Sequence, residues 1–359
     1  MNLSDFEYDL PKELIAQEAL TNRGEARLLV LNRETGEIKH DRFYRLPDYF
    51  EPNEVLVLNN TKVLPARLFG KKETGGIVEV LLLKKVENPE TNGNRSGEIW
   101  EALLKPSTRV KADQTISFEN QKSNARFSAR VMNTSQENAG IRRLEFNKGL
   151  DVASVMNQIG RIPLPPYIDR EDLPIDRELY QTVFAQIPGS VASPTAGLHF
   201  DPDLLRKIEK KGIEIVYVTL HVGYGTFQPV SAEDVSKHQM HPEYFNIPEE
   251  SAEKINMAKM DGRRIVACGT TSVRTLESAV SETVPPEVSA MRGSTNLFIF
   301  PPYEFKMTDA IITNFHLPRT TLLMLAAAFC GKENLRRAYE EAIRNRYRFY
   351  SYGDAMLIL

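Results

Sequence analysis

The sequence has few of the features that mark secreted, membrane or disulfide-rich proteins. Only two cysteines occur, Cys268 and Cys330, which cannot form a disulfide framework or a CxxC metal motif. Both lie in apolar stretches, which favours a packing role and a reducing compartment. The longest apolar run, residues 322–330, is too short to cross a bilayer. The N-terminal segment lacks the apolar core of a signal peptide, so we expect a cytoplasmic protein.

Several well-known site motifs are also absent. The chain contains no G-x-x-x-x-G-K-[ST], which excludes a P-loop, and no G-x-G-x-x-G after a predicted strand, which excludes the usual dinucleotide loop. It contains no G-x-S-x-G nucleophile elbow. His238 and His241 are three residues apart, but Pro242 favours a turn and no further ligands accompany them. We therefore expect no metal site.

What remains is the composition of an ordinary two-domain globular protein. The 359 residues are 42% hydrophobic and 26% charged, with a net charge of −3. The charge is unevenly distributed. Residues 66–150 hold 15 basic and 10 acidic side chains, a net charge of +5, whereas the remainder carries −8. Either a solvated surface or a nucleic-acid platform explains this basic segment.

The pattern of hydrophobic residues divides the chain in the same place. Residues 66–150 contain short β-like segments separated by turns, which predicts a small barrel. Elsewhere strands alternate with helices, which predicts an α/β domain with a largely parallel sheet. We therefore predict a three-layer α/β/α domain formed by residues 1–65 and 151–359, with a β-barrel domain, residues 66–150, inserted into it.

Polar residues follow four predicted strands of the larger domain, at the point where each strand ends. Ligands of open α/β sheets bind at the carboxyl ends of strands, so these four ends predict one crevice. The four segments are VLVLNNTK, EIVYVTLHVGYG, RRIVACGTT and DAIITNFH.

Two of these strand ends lead directly into predicted helices. Thr270, Thr271 and Ser272 are suited to cap the first helix, whose free N–H groups suit an anion. The second helix is the apolar segment that ends at Gly331, and Arg319 lies at its start.

Three histidines lie at predicted junctions between strands and helices or loops. His199 ends the segment SPTAGLHF, just before a helix with Asp201 as N-cap and Pro202 as first residue. His221 and His316 follow two of the four strands. We expect all three to face the same crevice.

The chain also resembles one family along nearly its whole length, the S-adenosylmethionine:tRNA ribosyltransferase-isomerases of queuosine biosynthesis. Two positions depart mildly from the expected pattern, Ala26 and the pair Arg319-Thr320. The segments that carry the resemblance are YDLPKELIAQ, RLLVLNRETGEI, VLVLNNTKVLPARLFGKKETGG, GRIPLPPYI, YQTVFAQIPGSVASPTAGLHF, LHVGYGTF, HQMHPEYF, GTTSVRTLES, TNFHLPRTTLLMLAAAFCG and YRFYSYGDAMLI.

The resemblance implies a reaction on tRNA. S-adenosylmethionine (AdoMet) donates its ribosyl group to 7-aminomethyl-7-deazaguanine at the wobble position, and the group isomerises to give epoxyqueuosine. Adenine and methionine are released. AdoMet is thus consumed as a co-substrate, and no cofactor is expected. The implied partner is tRNA with a GUN-type anticodon, the acceptors of Asp, Asn, His and Tyr. We expect no membrane partner, and a monomer.

The chemistry assigns roles to the polar residues. A base must remove the proton made acidic by the sulfonium, and histidine suits this step near neutral pH. The candidates for catalysis are His199, His221, His316 and Asp354, which the sequence does not rank. The candidates for AdoMet binding are Asn59, Asn60, Thr61, Gly269, Thr270, Thr271, Arg274 and Asn314. The candidates for tRNA binding are Arg67, Lys71, Lys72, Arg161 and Arg319.

Two other functions compete with this one. The first is an AdoMet-dependent hydrolase or methyltransferase on the same scaffold. The second is an RNA-binding module without activity. The polar strand ends argue against the second, because RNA binding alone does not need them.

Overall fold

A nine-stranded sheet forms the centre of the larger domain in the computed structural model, which describes residues 1–86, 97–120, 124–132, 140–227 and 230–359. From one edge to the other its strands are β15 (Met291–Thr295), β13 (Glu243–Ile247), β12 (Glu214–Leu220), β3 (Val55–Asn59), β14 (Ile265–Cys268), β16 (Ala310–Asn314), β17 (Ala355–Ile358), β1 (Arg27–Leu31) and β2 (Ile38–Arg42).

The four strands predicted to share a crevice are neighbours at the centre of this sheet. β12 pairs with β3, β3 with β14 and β14 with β16, each time in parallel. Their carboxyl ends therefore lie along one edge of the sheet. The flanking pairs are mostly antiparallel, including β16 with β17 and β12 with β13. The sheet is thus mixed: besides the central strands only β17 and β1 pair in parallel, so the expectation of a largely parallel sheet holds in part.

Helices cover both faces of the sheet because its strands are apolar on both sides. In β1, for example, Leu29 and Leu31 belong to one core and Leu28 and Val30 to the other. The first core includes residues of α4 (Glu249–Met260), α5 (Gly269–Ser278), α6 (Thr321–Cys330) and α7 (Lys332–Arg344); the second includes residues of α3 (Pro202–Lys210). The predicted α/β fold class is confirmed.

The smaller domain is a closed barrel of six antiparallel strands. Its core also contains Val152 and Met156 of the short helix α1 (Val152–Ile159). The strand order around the barrel is β10 (Ile141–Phe146), β7 (Ile99–Lys105), β6 (Ile77–Lys85), β5 (Arg67–Lys72), β8 (Thr115–Glu119) and β9 (Arg126–Val131). The predicted barrel is confirmed, and we retain 66–150 as the proposed limits of the inserted domain.

The chain enters and leaves the barrel side by side. The backbones of Arg67 and Arg161 exchange two hydrogen bonds, of 3.1 and 2.8 Å. Gly160 lies so close to the entering strand that a Cβ there would be 1.9 Å from the carbonyl oxygen of Pro65. Next to this crossing, β4 (Thr61–Val63) pairs in parallel with β11 (Ile187–Ser190), and α2 (Asp176–Leu179) follows the exit.

Most of the expected helix boundaries are present. The Asp201 carboxylate accepts from the Leu204 amide at 2.8 Å, and Gly331 ends α6 with φ of 81°. The expected cap of α5 is wrong, because that helix already begins at Gly269. Gly269 has φ of 84°, which glycine adopts readily, so the helix starts directly after β14. Thr270, Thr271 and Ser272 therefore belong to its first turn.

None of the helices in the described ranges is long and apolar enough to span a membrane. Cys268 and Cys330 are both unpaired and buried, and burial raises the pKa of each thiol.

Candidate functional site

A cleft lies at the carboxyl edge of the central strands. Its walls come from the ends of β14 and β16, the first turn of α5, the segment before α3 and the turn before β17. The lining residues are Tyr167, Ala192, Ser193, Pro194, Thr195, Ala196, Val222, Thr226, Gly269, Thr270, Thr271, Thr313, Asn314, His316, Leu317, Thr320, Leu322, Tyr350 and Ser351. We call this space the main cavity.

Three buried hydroxyl groups on the main cavity have no partner within the described part of the chain. They belong to Ser193, Thr271 and Tyr350. Buried polar groups are nearly always hydrogen-bonded, and leaving one unsatisfied costs about 1–3 kcal/mol. Three of them around one cavity leave hydrogen-bonding capacity for a polar ligand or for water.

Tyr350 is also held in an unusual backbone conformation. Its φ is 72°, in the left-handed region that bulky residues avoid. Its ring stacks on Tyr167, with centroids 4.6 Å apart, and its carbonyl accepts from the Asn314 side chain at 3.3 Å. Strain of this kind concentrates at functional sites.

His316 is the one histidine among the residues that line the main cavity. Its Nε2 is 2.7 Å from the Thr313 hydroxyl, which orients the ring. Burial lowers the pKa of His316 to about 3, so the imidazole is neutral at physiological pH. The neutral ring can accept a proton, but a pKa of about 3 makes it a weaker base than the histidine titrating near neutral pH that the sequence led us to expect.

His199 lies behind the cavity wall. Asn314 Nδ2 is 3.1 Å from His199 Nε2, and Asn314 Oδ1 accepts from the Thr195 hydroxyl at 2.9 Å. His199 itself lines a smaller space beside Arg23. Burial, reinforced by the charges of Arg348 and Arg23, lowers the pKa of His199 to about 3. This geometry makes His199 a support for Asn314.

Asp354 has a structural position that the sequence did not predict. Its two carboxylate oxygens accept from the backbone amides of Arg27 and Arg348, each at 2.8 Å. It is 1% exposed and does not line the main cavity, and burial raises the pKa of its carboxyl. The carboxylate fastens the turn before β17 to β1, so it is not placed to neutralise a ligand in the cavity.

The residues expected to bind AdoMet after β3 also lie outside the cavity lining. The Asn59 side chain donates to the Leu220 carbonyl and accepts from the Leu220 amide. Asn60 Oδ1 accepts from the Thr219 hydroxyl at 2.7 Å. The Thr61 hydroxyl is 2.7 Å from Nδ1 of His221. These side chains join the ends of β3 and β12, because buried backbone at a strand end needs partners.

His221 shares this location rather than the cavity. Its ring stacks on Tyr244, with centroids 5.5 Å apart, and a Cβ at Gly189 would approach its Nε2 to 2.5 Å. Burial lowers its pKa. Of the three histidines expected to face one crevice, only His316 therefore lines the main cavity. His199 contacts Asn314, which is part of the cavity wall.

Arg274 lies one turn further along α5, beside a separate small pocket that shares Thr226 and Leu322 with the main cavity. Its Nη1 donates to Glu243, and its Nε donates to the Leu297 carbonyl at 3.0 Å. Its Nη2 is buried without a partner among the described residues. Glu243 also accepts from the Gly223 amide and the Thr226 hydroxyl, at 2.7 and 2.9 Å. Glu243 thereby connects Arg274 to a wall of the main cavity.

The expected tRNA-binding residues lie in three places. Arg67 and Arg161 are side by side where the chain enters and leaves the barrel, Lys71 and Lys72 are at the opposite end of β5, and Arg319 pairs with Glu7 elsewhere. Arg67 pairs with Glu79 at 3.2 Å, and Lys72 donates to the Arg109 carbonyl at 2.9 Å.

Between the barrel and the larger domain runs a groove that approaches the main cavity. It contains Val191 and Pro166, whose chain neighbours Ala192 and Tyr167 line the cavity. We call it the interdomain groove; its lining residues are Arg67, Glu79, Leu81, Leu103, Leu104, Lys105, Pro163, Leu164, Pro165, Pro166, Ile168, Val191 and Tyr224.

Among the residues that the structure describes, no charged side chain lines the main cavity. In the described ranges, no group of three or more His, Cys, Asp or Glu side chains is placed to hold a metal ion. A cationic ligand in this cavity would therefore keep its charge unneutralised, with the aromatic faces of Tyr167 and Tyr350 as its polarisable neighbours.

Sequence reasoning missed Ser193, Thr195, Thr226, Tyr167 and Tyr350 as cavity residues. Ser193 and Thr195 precede His199 within SPTAGLHF, and Tyr350 lies in YRFYSYGDAM; both stretches belong to segments that carry the family resemblance. Nothing in their local composition distinguished them from turn residues.

Comparison with known proteins gives consistent matches over the whole chain. Residues 3–358 match the family described as queuosine biosynthesis protein. Proteins of Clostridioides difficile (strain 630) and Sulfurihydrogenibium sp. (strain YO3AOP1) are 47% and 48% identical over 360 residues. In each case 100% of both chains is covered, and both relatives are named S-adenosylmethionine:tRNA ribosyltransferase-isomerase.

A solved structure is similar as well. It is the crystal structure of S-adenosylmethionine tRNA ribosyltransferase from Thermotoga maritima, with a TM-score of 0.54 and 38% identity. The match covers 99% of this chain and 100% of that one.

The neutral histidines predict a specific dependence of stability on pH. The unfolded chain protonates His199 near pH 6.5, whereas in the folded protein its pKa is about 3. Protons therefore favour the unfolded state, and stability falls as pH drops below 6.5. The loss is about 1.4 kcal/mol per pH unit for such a histidine. Urea unfolding between pH 6.5 and 5 should show a shallower loss for His199→Gln than for the parent protein; equal slopes would contradict the assignment.

Proposed function

The chain belongs to the queuosine biosynthesis protein family, and from this premise we propose that it is an S-adenosylmethionine:tRNA ribosyltransferase-isomerase. It transfers the ribosyl group of AdoMet to 7-aminomethyl-7-deazaguanine at the wobble position of tRNA and isomerises it. The products are epoxyqueuosine-tRNA, adenine and methionine. On the structural side, the proposal rests on the uncharged main cavity with its three unpartnered hydroxyls and one neutral histidine.

We place AdoMet in the main cavity. The hydroxyls of Ser193, Thr271 and Tyr350 are available for its ribose and adenine, and the first-turn amides of α5 point to the same space. The methionine carboxylate suits Arg274, whose Nη2 lacks a partner among the described residues. Asn314 forms part of the wall and holds Thr195 in position at 2.9 Å.

The absence of charge around the sulfonium favours proton loss from the adjacent carbon. A nearby carboxylate would offset the positive charge that makes this C–H acidic, and none is among the described residues that line the main cavity. The cationic sulfur then keeps its full effect on the carbon.

We assign the general base to His316. Its neutral imidazole takes the proton from the carbon next to sulfur, and the electron pair stays on that carbon. Because burial disfavours the imidazolium, the protonated ring is a strong acid and gives the proton to adenine as the glycosidic bond breaks. The hydrogen bond to Thr313 keeps the ring oriented during both transfers.

We also propose the partners and setting of this reaction. The substrates are tRNAs with a GUN-type anticodon, for Asp, Asn, His and Tyr. AdoMet is consumed and no further cofactor takes part. The enzyme acts as a monomer in the cytoplasm, since one cavity and one interdomain groove suffice for an anticodon stem-loop.

One assay tests the reaction and its base. With labelled AdoMet and tRNA carrying 7-aminomethyl-7-deazaguanine, the protein should release adenine and methionine in equal amounts, and only with tRNA. His316→Gln should lower kcat by about 10²–10⁴. His40→Gln, on the exposed edge strand β2, should retain full activity. Methylated product or breakdown without tRNA would support the methyltransferase or hydrolase instead, and binding without turnover would support an RNA-binding module.

A pair of threonines on α5 tests the AdoMet position. Thr271→Val removes a buried hydroxyl without a partner, so it should raise the KM for AdoMet about tenfold while leaving the urea midpoint unchanged or higher. Thr275 donates to the Thr271 carbonyl at 2.8 Å, so Thr275→Val should lower stability and leave the KM unchanged. The opposite pattern would remove Thr271 from the site.

Salt dependence tests the tRNA contacts. The logarithm of the tRNA association constant should fall linearly with the logarithm of salt concentration. Lys71 is exposed on the barrel, and Lys71→Ala should reduce the magnitude of this salt-dependence slope by about 1. Lys210→Ala, at the end of α3, should leave the slope unchanged. An affinity independent of salt would contradict the tRNA assignment.

A further inference from the structure

Strand β5 carries an exposed aromatic residue between two basic ones. Its side chains alternate, so that Leu68 and Gly70 face the barrel core while Arg67, Phe69 and Lys71 point outward. Phe69 is 44% exposed, although burial of a phenylalanine side chain is strongly favourable. An exposed phenylalanine in a row of cations is the arrangement that binds single-stranded nucleic acid.

Arg161 adds a third cation directly on this aromatic ring. Its guanidinium carbon lies 5.1 Å from the centroid of Phe69. The backbone bridge between Arg67 and Arg161 holds the two segments together at this point. The Arg161 guanidinium therefore helps to orient the ring, and a guanidinium is also a group that binds phosphate well.

This row lies at the side of the interdomain groove. Arg67 lines the groove, and Glu79, which also lines it, is the cross-strand partner of Phe69. A nucleotide resting on Phe69 is thus next to the groove that approaches the main cavity.

Carboxylates are present here too, and they affect how the cations act. Glu79 pairs with Arg67, while Glu171 and Asp172 pair with Arg161 at 3.3 and 3.5 Å. Glu171 is 87% exposed, so its ion pair is weak and a phosphate can replace it.

We propose that the outward face of β5, centred on Phe69, is a stacking platform for an unpaired base of the tRNA anticodon loop. A base rests on the exposed ring, and Arg161 and Lys71 contact the neighbouring phosphates. Aromatic stacking suits unpaired loop bases, which are accessible in RNA. The inference rests on the proposed function and adds to it the place where a second nucleotide of the loop is held while the wobble base enters the groove.

Substitution at Phe69 tests the platform. Loss of base–aromatic stacking typically weakens binding about tenfold or more, so Phe69→Ala should raise the Kd and KM for tRNA by at least that factor. The KM for AdoMet and the thermal midpoint should not change, because the side chain is exposed. Phe69→Tyr should retain tight binding, whereas Phe69→Leu should not. Tyr44→Ala is the matched control, since Tyr44 is 45% exposed on the larger domain.

Fluorescence gives a direct reading of the stack. The chain has a single tryptophan, Trp100, which is 8% exposed, so Phe69→Trp introduces the one exposed indole. Addition of tRNA should quench it. Unchanged tRNA affinity in Phe69→Ala, or equal affinity in the Leu and Tyr variants, would overturn the platform while leaving the proposed function intact. Failure of the parent protein to act on tRNA would instead overturn the proposed function.

Discussion

The side-chain amide of Asn314 holds together the segments that form the site. From the carboxyl end of β16 it accepts from Thr195 through its oxygen, and its nitrogen donates to His199 and to the carbonyl of Tyr350. These contacts join three parts of the chain. Thr195 and His199 are more than 100 residues from Asn314, and Tyr350 follows the helices α6 and α7. Because His199 is neutral, its Nε2 can accept this hydrogen bond. The buried His199 ring is thus one of the groups that hold Asn314 in the wall of the main cavity.

The main cavity combines polar capacity with a lack of charge. Its unpartnered hydroxyls give binding energy to a polar ligand, while the absence of carboxylates leaves a sulfonium free to acidify its neighbouring carbon. Acidic side chains near the site are engaged elsewhere. Asp354 binds two backbone amides, and Glu243 binds Arg274 and the loop that contains Thr226. These two carboxylates thus have structural partners, and no charged side chain is among the described residues that line the main cavity.

In the proposed function, the two domains divide the work between the two substrates. The central parallel strands supply the small-molecule cavity, since their carboxyl ends meet at one edge. The barrel supplies an exposed, basic and aromatic face on β5. The interdomain groove between them is fixed by the backbone bridge of Arg67 and Arg161, which leaves little freedom for one substrate to move relative to the other.

The sequence by itself determined the local elements and the fold class. Alternation and turn residues predicted the barrel, apolar runs predicted the central strands, and capping rules located the start of α3 and the end of α6. It also predicted Thr271, Asn314 and His316 as site residues, and all three line the main cavity. Only the tertiary structure separated these from Asn59 and His221, which follow strands in the same way. A polar residue after a strand serves either a ligand or the neighbouring backbone, and that depends on which side chains pack beside it. The positions of Ser193 and Tyr350 depended on the same packing, because residues distant in sequence become neighbours only when the sheet and its helices are assembled.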